Sequence, residues 1–203
     1  MKPLSIVPSP APGPDLDVYA HQAGLQLDAL AALLAQIPRD AVAQVAACLH
    51  ALRVSGNTVY LMGNGGSATT SLHMACDLQM AAADHPTWPP LRAFSLNANM
   101  AVFSAAANDE GYANAFVAQL RSVLQPGDAL LGISASGSSP NCVEAMGFAR
   151  AQGATTLALL GFDGGEMLAM ADRVIHVPSF DYGLVEDTHT ALSHALARCL
   201  RQP

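Results

Sequence analysis

His73 and Asp77 are two side chains with acid–base and metal-binding chemistry that stand four residues apart in the sequence. In a helix, residues four apart lie on the same face, one turn from each other. An imidazole and a carboxylate placed in this way can hold a metal ion or move a proton between atoms of a substrate. The alternative is an ordinary packed or solvent-facing histidine, which is common in apolar helices. The glycine-rich stretch just before the pair favours the functional interpretation.

A second group of ionisable residues is concentrated near the C-terminus, in the segment GLVEDTHTALSHAL, which contains Glu186, Asp187, His189 and His194. Glu186 and His194 are eight residues apart, which puts them on broadly the same side of a helix, two turns along. The helix dipole favours acidic residues in a first turn, and this alternative would account for the carboxylates alone. It does not explain two histidines among alanines and leucines. We therefore expect a functional segment, with His189 either supporting the site from behind or facing solvent.

The loop GNGGS, residues 63–67, follows the apolar run TVYLM and precedes the helix that carries His73. Glycines let a backbone approach a ligand closely and adopt positive φ angles. The start of the helix supplies free N–H groups and the positive end of its dipole, and both favour an anion. Ser67 could cap the helix and offer its hydroxyl group. The alternative for this loop alone is a plain tight turn.

A second loop, SASGSSPN at residues 134–141, has the same design after the apolar run ALLGI. Its four serines and its glycine supply hydroxyl and N–H groups in a small space. The alternative is a serine-rich turn in which Ser139 caps the next helix and Pro140 occupies the first helical position. Two such loops favour a phosphate-type ligand. Neither loop has the glycine spacing or the lysine of the common nucleotide-binding loops, so no nucleotide cofactor is expected.

The elements that position these loops can be predicted from apolar patterning. Helical periodicity covers 17–37, 40–54 and 183–201, and helical segments also lie between most of five short apolar runs that indicate strands. The five strands are predicted at 58–62, 91–96, 128–133, 155–160 and 173–177. Alternating strands and helices indicate an α/β fold whose parallel sheet is covered on both faces. In such sheets ligands bind beyond the carboxyl ends of the strands, where both loops fall.

Composition limits the class of protein. Hydrophobic residues make up 51% of the 203 residues, charged residues 12%, and the net charge is −7. This balance argues against disorder and against a nucleic-acid groove, and suggests that subunits cover some apolar surface. No long apolar run predicts a membrane span and no leader pattern is evident, so a cytoplasmic location is expected. The four cysteines lack a CxxC pair and are predicted to be reduced core residues: Cys48, Cys76, Cys142 and Cys199.

The order strand–GNGGS–helix, then strand–GISASGSS–helix, resembles the sugar isomerase (SIS) domain family, in particular its phosphoheptose isomerase branch. The resemblance runs from about residue 15 to the C-terminus. It implies a three-layer αβα sandwich with a central five-stranded parallel sheet, preceded by two helices. We therefore expect a flexible arm at 1–15 and one domain at 16–203. The substrate-binding positions implied by the resemblance are Asn64, Gly65, Gly66, Ser67, Asp109, Ser134, Ser136, Ser139 and Glu186.

The same resemblance joins the two groups of ionisable residues. In that branch four side chains surround a zinc ion, and the matching positions here are His73, Asp77, Glu186 and His194. Two of them depart from the branch: Asp77 replaces a glutamate and Glu186 replaces a glutamine. All four remain suitable zinc ligands. By likeness Asp77 is the base and His194 the acid, and the family usually assembles as dimers and tetramers.

The implied reaction is the aldose–ketose isomerisation of sedoheptulose 7-phosphate to D-glycero-D-manno-heptose 7-phosphate through an enediol. Three departures put that substrate in question: an arginine, an aspartate and a threonine of the branch are Ala81, Gly183 and Ala135 here. Two other functions therefore stay open. One is an isomerase for a different sugar phosphate. The other is a non-catalytic sugar-phosphate-binding regulator or a protein that associates with the replication initiator, which would not need all four metal-capable residues.

Overall fold

The computed structural model describes residue 13 and residues 15–81 and 88–201. Two helices come first, α1 at Leu16–Gln36 and α2 at Arg39–Ser55, as predicted. Asp15 caps α1, since its side chain accepts a hydrogen bond from the Asp17 N–H at 3.1 Å. The predicted flexible arm falls almost wholly outside the described residues, so it stays a prediction.

The five predicted strands are present and form one parallel sheet with the order β2-β1-β3-β4-β5. Their bounds are β1 Thr58–Gly63, β2 Arg92–Ser95, β3 Ala129–Ser134, β4 Thr155–Leu160 and β5 Arg173–His176. The helices between and after them are α3 Gly66–Met80, α4 Met100–Asp109, α5 Ala115–Val123, α6 Pro140–Ala151, α7 Gly165–Met170 and α8 Tyr182–Cys199. A short 3-10 turn, Tyr112–Asn114, links α4 to α5. This order sets β1 beside β3, so the two predicted loops leave adjacent strands at the same edge.

Helices cover both faces of the sheet, which confirms the three-layer prediction. Alternate residues of β1 point to opposite faces. Val59 and Leu61 pack into one core with α2, α3 and α8, whereas Tyr60 and Met62 pack into a second core with α5, α6 and α7. Because both faces are covered, every residue of β1 and β3 is buried, and this explains why these strands are continuous apolar runs in the sequence.

The cysteines are all free, but the prediction that they lie in the core is wrong for two of them. Cys142 is buried, and burial raises the pKa of its thiol to about 12. Cys48 is half-buried, and Cys76 on α3 and Cys199 on α8 are exposed. Among the described residues no helix is long and apolar enough to span a membrane.

Candidate active site

A cavity of about 270 Å³ opens between the loops that follow β1 and β3. It contains all but one of the predicted substrate-binding residues, together with three that were not predicted. Its lining residues are Asn64, Gly65, Gly66, Ser67, Ile133, Ser134, Ala135, Ser136, Ser139, Tyr182 and Glu186. The two loops converge because β1 and β3 are neighbours, which is a matter of strand order rather than of local pattern.

The helix α3 starts at the wall of this cavity without a capping side chain. Its N-cap is Gly65, at φ +55°, and Ser67 already lies inside the helix with only 4% of its surface exposed. The prediction that Ser67 caps the helix is therefore wrong. The helix begins at Gly66, earlier than expected. The turn before it is tight, since a Cβ at Gly63 would lie 2.7 Å from the carbonyl carbon of Ser67. The first N–H groups of α3 thus keep their capacity for an anion.

The serine loop after β3 holds its shape through its own hydroxyl groups. The Gly137 N–H donates to Ser134 Oγ at 3.0 Å, and the Ser138 N–H donates to Ser136 Oγ at 3.3 Å. Ser139 is the N-cap of α6 by position and Pro140 is the first helical residue, as predicted, but the Ser139 side chain makes no capping hydrogen bond. Ser139 lines the cavity, and its hydroxyl group is not used for capping.

A third loop, residues 161–165 after β4, packs directly on the serine loop. A side chain at Gly137, where φ is +65°, would run into the carbonyl oxygen of Gly164. The Met167 N–H donates to the Gly137 carbonyl oxygen at 3.0 Å and ties α7 to the same place. Sequence reasoning missed this loop because GFDGG offers no hydroxyl group and resembles any glycine-rich turn.

Asn64 is held at the cavity wall by a reciprocal amide pair. Its Nδ2 donates to Asn141 Oδ1 at 2.8 Å, and Asn141 Nδ2 donates to Asn64 Oδ1 at 2.9 Å. The Tyr112 hydroxyl group donates to the same Asn64 oxygen at 2.8 Å, which fills both of its lone pairs. Asn141 is fully buried. The Asn64 amide therefore cannot rotate without breaking three hydrogen bonds.

Asp109 is the predicted substrate-binding residue that does not line the cavity. It is the last residue of α4, is exposed, and its Oδ1 accepts a hydrogen bond from Asn108 Nδ2 at 2.8 Å. It precedes Tyr112, which contacts Asn64, by three residues. Its contact with a substrate stays a prediction.

The helices α3 and α8 pack against each other and bring three of the four predicted metal ligands together. The Oδ2 atom of Asp77 lies 3.3 Å from His73 Nε2 and 3.3 Å from His194 Nδ1. The two imidazole rings meet edge to face with their centroids 4.9 Å apart. Glu186 is not among these three side chains. Its carboxylate lies instead against Gly66, at the cavity.

The donor set fits a zinc ion. Asp77 Oδ2 is buried and has no hydrogen-bond partner among the described residues, although two imidazole nitrogens are 3.3 Å away. A tetrahedral zinc ion with bonds of about 2.0–2.1 Å separates its ligand atoms by about 3.3–3.4 Å. The atoms of His73, Asp77 and His194 therefore have the chemistry of zinc ligands. Both imidazole nitrogens lie at this spacing from the Asp77 oxygen, and all three atoms lie within 4.8 Å of one another.

His189 is fully buried under the same helix pair, with 1% of its surface exposed, so the alternative that it faces solvent is wrong. Neither ring nitrogen has a hydrogen-bond partner within the part of the chain that the structure describes. Burial lowers the pKa of His189 to about 4, and the nearby Leu160 backbone offsets only part of this effect. The ring is therefore uncharged at neutral pH.

The cavity and the three-residue cluster lie along one pair of helices. Glu186 at the cavity and His194 in the cluster are eight residues apart on α8, or about 12 Å along the helix axis. On α3, Gly66 and Ser67 line the cavity, and His73 and Asp77 follow towards the other end. The arrangement suits a ligand that is anchored by an anionic group at one end and reacts at the other.

Comparison with known proteins agrees with this geometry. The family model of the SIS domain matches residues 23–161. A phosphoheptose isomerase of Trichlorobacter lovleyi is 38% identical over 147 residues, which are 72% of this chain and 74% of that protein. The solved structure of a phosphoheptose isomerase from Francisella tularensis has a TM-score of 0.82 and 26% identity, covering 94% of this chain and 100% of that one.

A second solved structure, a phosphoheptose isomerase from Neisseria gonorrhoeae, has a TM-score of 0.80 and 29% identity and covers 91% of this chain and 96% of that one. The family model spans both loops and α3, and it ends before α8. On these matches the chain belongs to the SIS domain family and to its phosphoheptose isomerase branch.

Proposed function

We propose that the protein is an aldose–ketose isomerase that converts sedoheptulose 7-phosphate to D-glycero-D-manno-heptose 7-phosphate. One observation carries the proposal: a cavity lined by serines and by the start of α3, and the cluster of His73, Asp77 and His194, lie at two ends of the same α3–α8 pair, about 12 Å apart along the helix axis. Consecutive carbons of an extended chain advance about 1.3 Å, so seven carbons and a phosphoester span about 10 Å. The length of such a sugar phosphate is therefore close to the separation of the two ends.

In this reaction the phosphate group binds to the hydroxyl groups of Ser67, Ser134, Ser136 and Ser139 and to the N–H groups at the start of α3. Asp77 takes a proton from C1 of the ketose while His194 protonates the oxygen on C2, and the enediol forms. His194 then removes the proton from the oxygen on C1, and Asp77 returns its proton to C2, which gives the aldose. The two residues are within reach of each other, so they can act on adjacent carbons.

A zinc ion bound by His73, Asp77 and His194 would supply a Lewis acid that polarises the carbonyl group and stabilises the negative charge of the enediolate. Glu186, the fourth ligand implied by the family resemblance, lies at the cavity and not with these three side chains. Elemental analysis of untagged protein is expected to find about one zinc ion per chain.

A second candidate function is isomerisation of a different sugar phosphate. It is favoured by the apolar side of the cavity, where Ala135 stands in place of a polar residue of the branch and Tyr182 adds an aromatic ring. Competition between sedoheptulose 7-phosphate and other sugar phosphates, each assayed for turnover, separates the two candidates.

The experiment that tests the proposal is Asp77→Asn, with Asp187→Asn as the matched control because Asp187 is exposed on α8. Product formation from sedoheptulose 7-phosphate is followed by NMR, and binding by calorimetry. Asp77→Asn is expected to lower turnover about a hundredfold or more, since it removes the base, and to leave binding nearly unchanged. Turnover that survives this change removes Asp77 from the mechanism. Binding without turnover in the unaltered protein would favour a regulator.

Self-association as a homotetramer and a cytoplasmic location are part of the same proposal. Helix α1 supports the assembly, because Leu16, Tyr19, Leu25 and Leu27 are each more than half exposed. Light scattering after size-exclusion chromatography is expected to give four chains. A single-chain mass at micromolar concentration would overturn this part.

A further inference from the structure

Three aromatic rings lie together next to the cavity, and one of them, Tyr182, lines it. The rings of Phe162 and Phe180 are stacked, with centroids 5.4 Å apart and planes at 18°. The ring of Tyr182 meets Phe162 edge to face at 4.7 Å and 74°. Phe180 is 75% exposed and Tyr182 60% exposed. Phe180 and Tyr182 therefore keep most of their surface available for contact with another molecule.

The backbone holds Phe162 in an unusual conformation to form this cluster. Its φ is +47°, and it is the only non-glycine residue with a positive φ in the part of the chain that the structure describes. A bulky residue in this region is strained, and such strain is concentrated at functional sites. The Phe162 N–H donates to the Ser179 carbonyl oxygen at 2.9 Å, and its own carbonyl oxygen accepts from His176 Nε2 at 2.9 Å. These bonds fix the loop after β4 to the segment before α8.

The cluster adjoins the anion-binding part of the cavity. Tyr182 lines the cavity together with the serine loop, and it lies one turn before Glu186 on α8. The glycines that follow Phe162 pack against the serine loop. An aromatic face cannot donate to a phosphate group as the serines do. It can pack against the apolar C–H bonds of a carbon chain next to the phosphate.

We propose that Tyr182, positioned by Phe162 and Phe180, is a wall that contacts the carbon chain of the phosphorylated sugar and so determines which sugar phosphates bind. This inference rests on the proposed function in so far as the ligand is a sugar phosphate. It does not depend on turnover, since a protein that binds without isomerising still needs to select its ligand. Tyr182 is thus a specificity-determining residue, and Phe162 is a positioning residue.

The experiment compares two ligands by calorimetry, inorganic phosphate and sedoheptulose 7-phosphate, on four proteins. The proteins are the unaltered chain, Tyr182→Ala, Tyr182→Phe and the control Val54→Ala, whose residue is 68% exposed on α2. Tyr182→Ala is expected to weaken sedoheptulose 7-phosphate binding about three- to tenfold and to leave inorganic phosphate binding unchanged. Tyr182→Phe and Val54→Ala are expected to retain the affinity for both.

A second variant, Phe162→Gly, removes the positioning ring while leaving a residue that adopts φ +47° without strain. It is expected to fold with some loss of stability, because the Phe162 ring packs against the core, to lose part of its affinity for the sugar phosphate and to keep its affinity for inorganic phosphate. An equal loss for both ligands, or no loss for either, in Tyr182→Ala overturns the inference. If the unaltered chain binds inorganic phosphate but no sugar phosphate, the proposed function and this inference both fail. If it binds the sugar phosphate without turnover, only the proposed function fails.

Discussion

Glu186 places a half-buried carboxylate beside the hydroxyl groups of the cavity. It lies so close to Gly66 that a Cβ there would collide with its carboxylate. A carboxylate and a bound phosphate group repel each other, and partial burial strengthens the repulsion because there is less water to screen it. The same carboxylate attracts a cation or accepts hydrogen bonds from sugar hydroxyl groups. Glu186 therefore opposes binding of a bare anion and favours a ligand that also presents donors.

Glu186→Gln is expected to raise the affinity for inorganic phosphate about three- to tenfold, because it removes the negative charge and keeps the shape. Calorimetry at low and at high salt measures this, and the gain should shrink with salt. Glu144→Gln, an exposed residue on α6, is the control for net charge and should change nothing. An unchanged affinity in Glu186→Gln would mean that the carboxylate does not face the bound phosphate.

Residue types and their spacing predicted the two separate groups of ionisable residues and the serines, because those side chains carry their chemistry with them. That the two groups meet was implied only by the family resemblance. The contacts of Asn64 could not be predicted. Its partner Asn141 is 77 positions away, and Tyr112 is 48 positions away. These three residues are in contact only because the strand order brings their loops together. Tyr182 was not predicted either, because a single tyrosine at the start of a helix has no distinctive pattern.

Three loops at the carboxyl ends of β1, β3 and β4 act as one unit in the structure. The strands before them were predicted to within two residues, since buried parallel strands form short apolar runs bounded by glycine and serine. Local pattern does not specify the order of those strands in the sheet. It is this order that sets the loop after β4 against the serine loop, where Gly137 meets Gly164.

Gly137→Ala is expected to destabilise the protein by about 2 kcal/mol or more, because alanine at a φ of +65° is strained and its methyl group meets the Gly164 carbonyl oxygen. Urea unfolding measures the change. Gly147→Ala in α6 is the matched control, since its methyl group would make only an ordinary contact with the end of Met170. The free energy of unfolding of this control should rise by about 0.5–1 kcal/mol, because glycine weakens a helix interior. Equal stability of Gly137→Ala and the unaltered protein would show that the loops can separate.

At the scale of the whole molecule, the buried His189 links folding to pH. In the folded protein its pKa is lowered to about 4 by burial, against an ordinary value of 6.5. As the pH falls through about 6.5, the His189 ring binds a proton in the unfolded chain, whereas in the folded chain it binds one only near pH 4. The free energy of unfolding therefore decreases across this window, by about 3 kcal/mol in all, and the His189 contribution is fully present above it.

His189→Leu is expected to remove this part of the pH dependence, so that its free energy of unfolding varies less between pH 7 and pH 4.5 than that of the unaltered protein. Urea unfolding with a chelator present measures it without interference from metal. His21→Gln, at an exposed position on α1, should keep the original slope. If His189→Leu keeps the same pH dependence of the free energy of unfolding as His21→Gln, His189 is not the group that causes it.

The three-layer architecture and its two leading helices were predictable, since amphipathic helices alternating with apolar strands have few other ways to bury both faces of a sheet. The sequence left His189 open between supporting the site from behind and facing solvent, because the segment around it mixes polar residues with alanines and leucines. Only the packing of α8 on α3 decides which of its polar residues face inward.

The contact of Gly137 with Gly164 also has an evolutionary consequence. Because neither backbone can move without the other, the loop that holds the serines and the loop that holds Phe162 cannot diverge independently in length or path. A lineage that changes its sugar has to do so by exchanging side chains, at positions such as 162 and 182, on an unchanged backbone. Duplicated copies of this protein with new substrates would then differ at those two positions and keep both glycines.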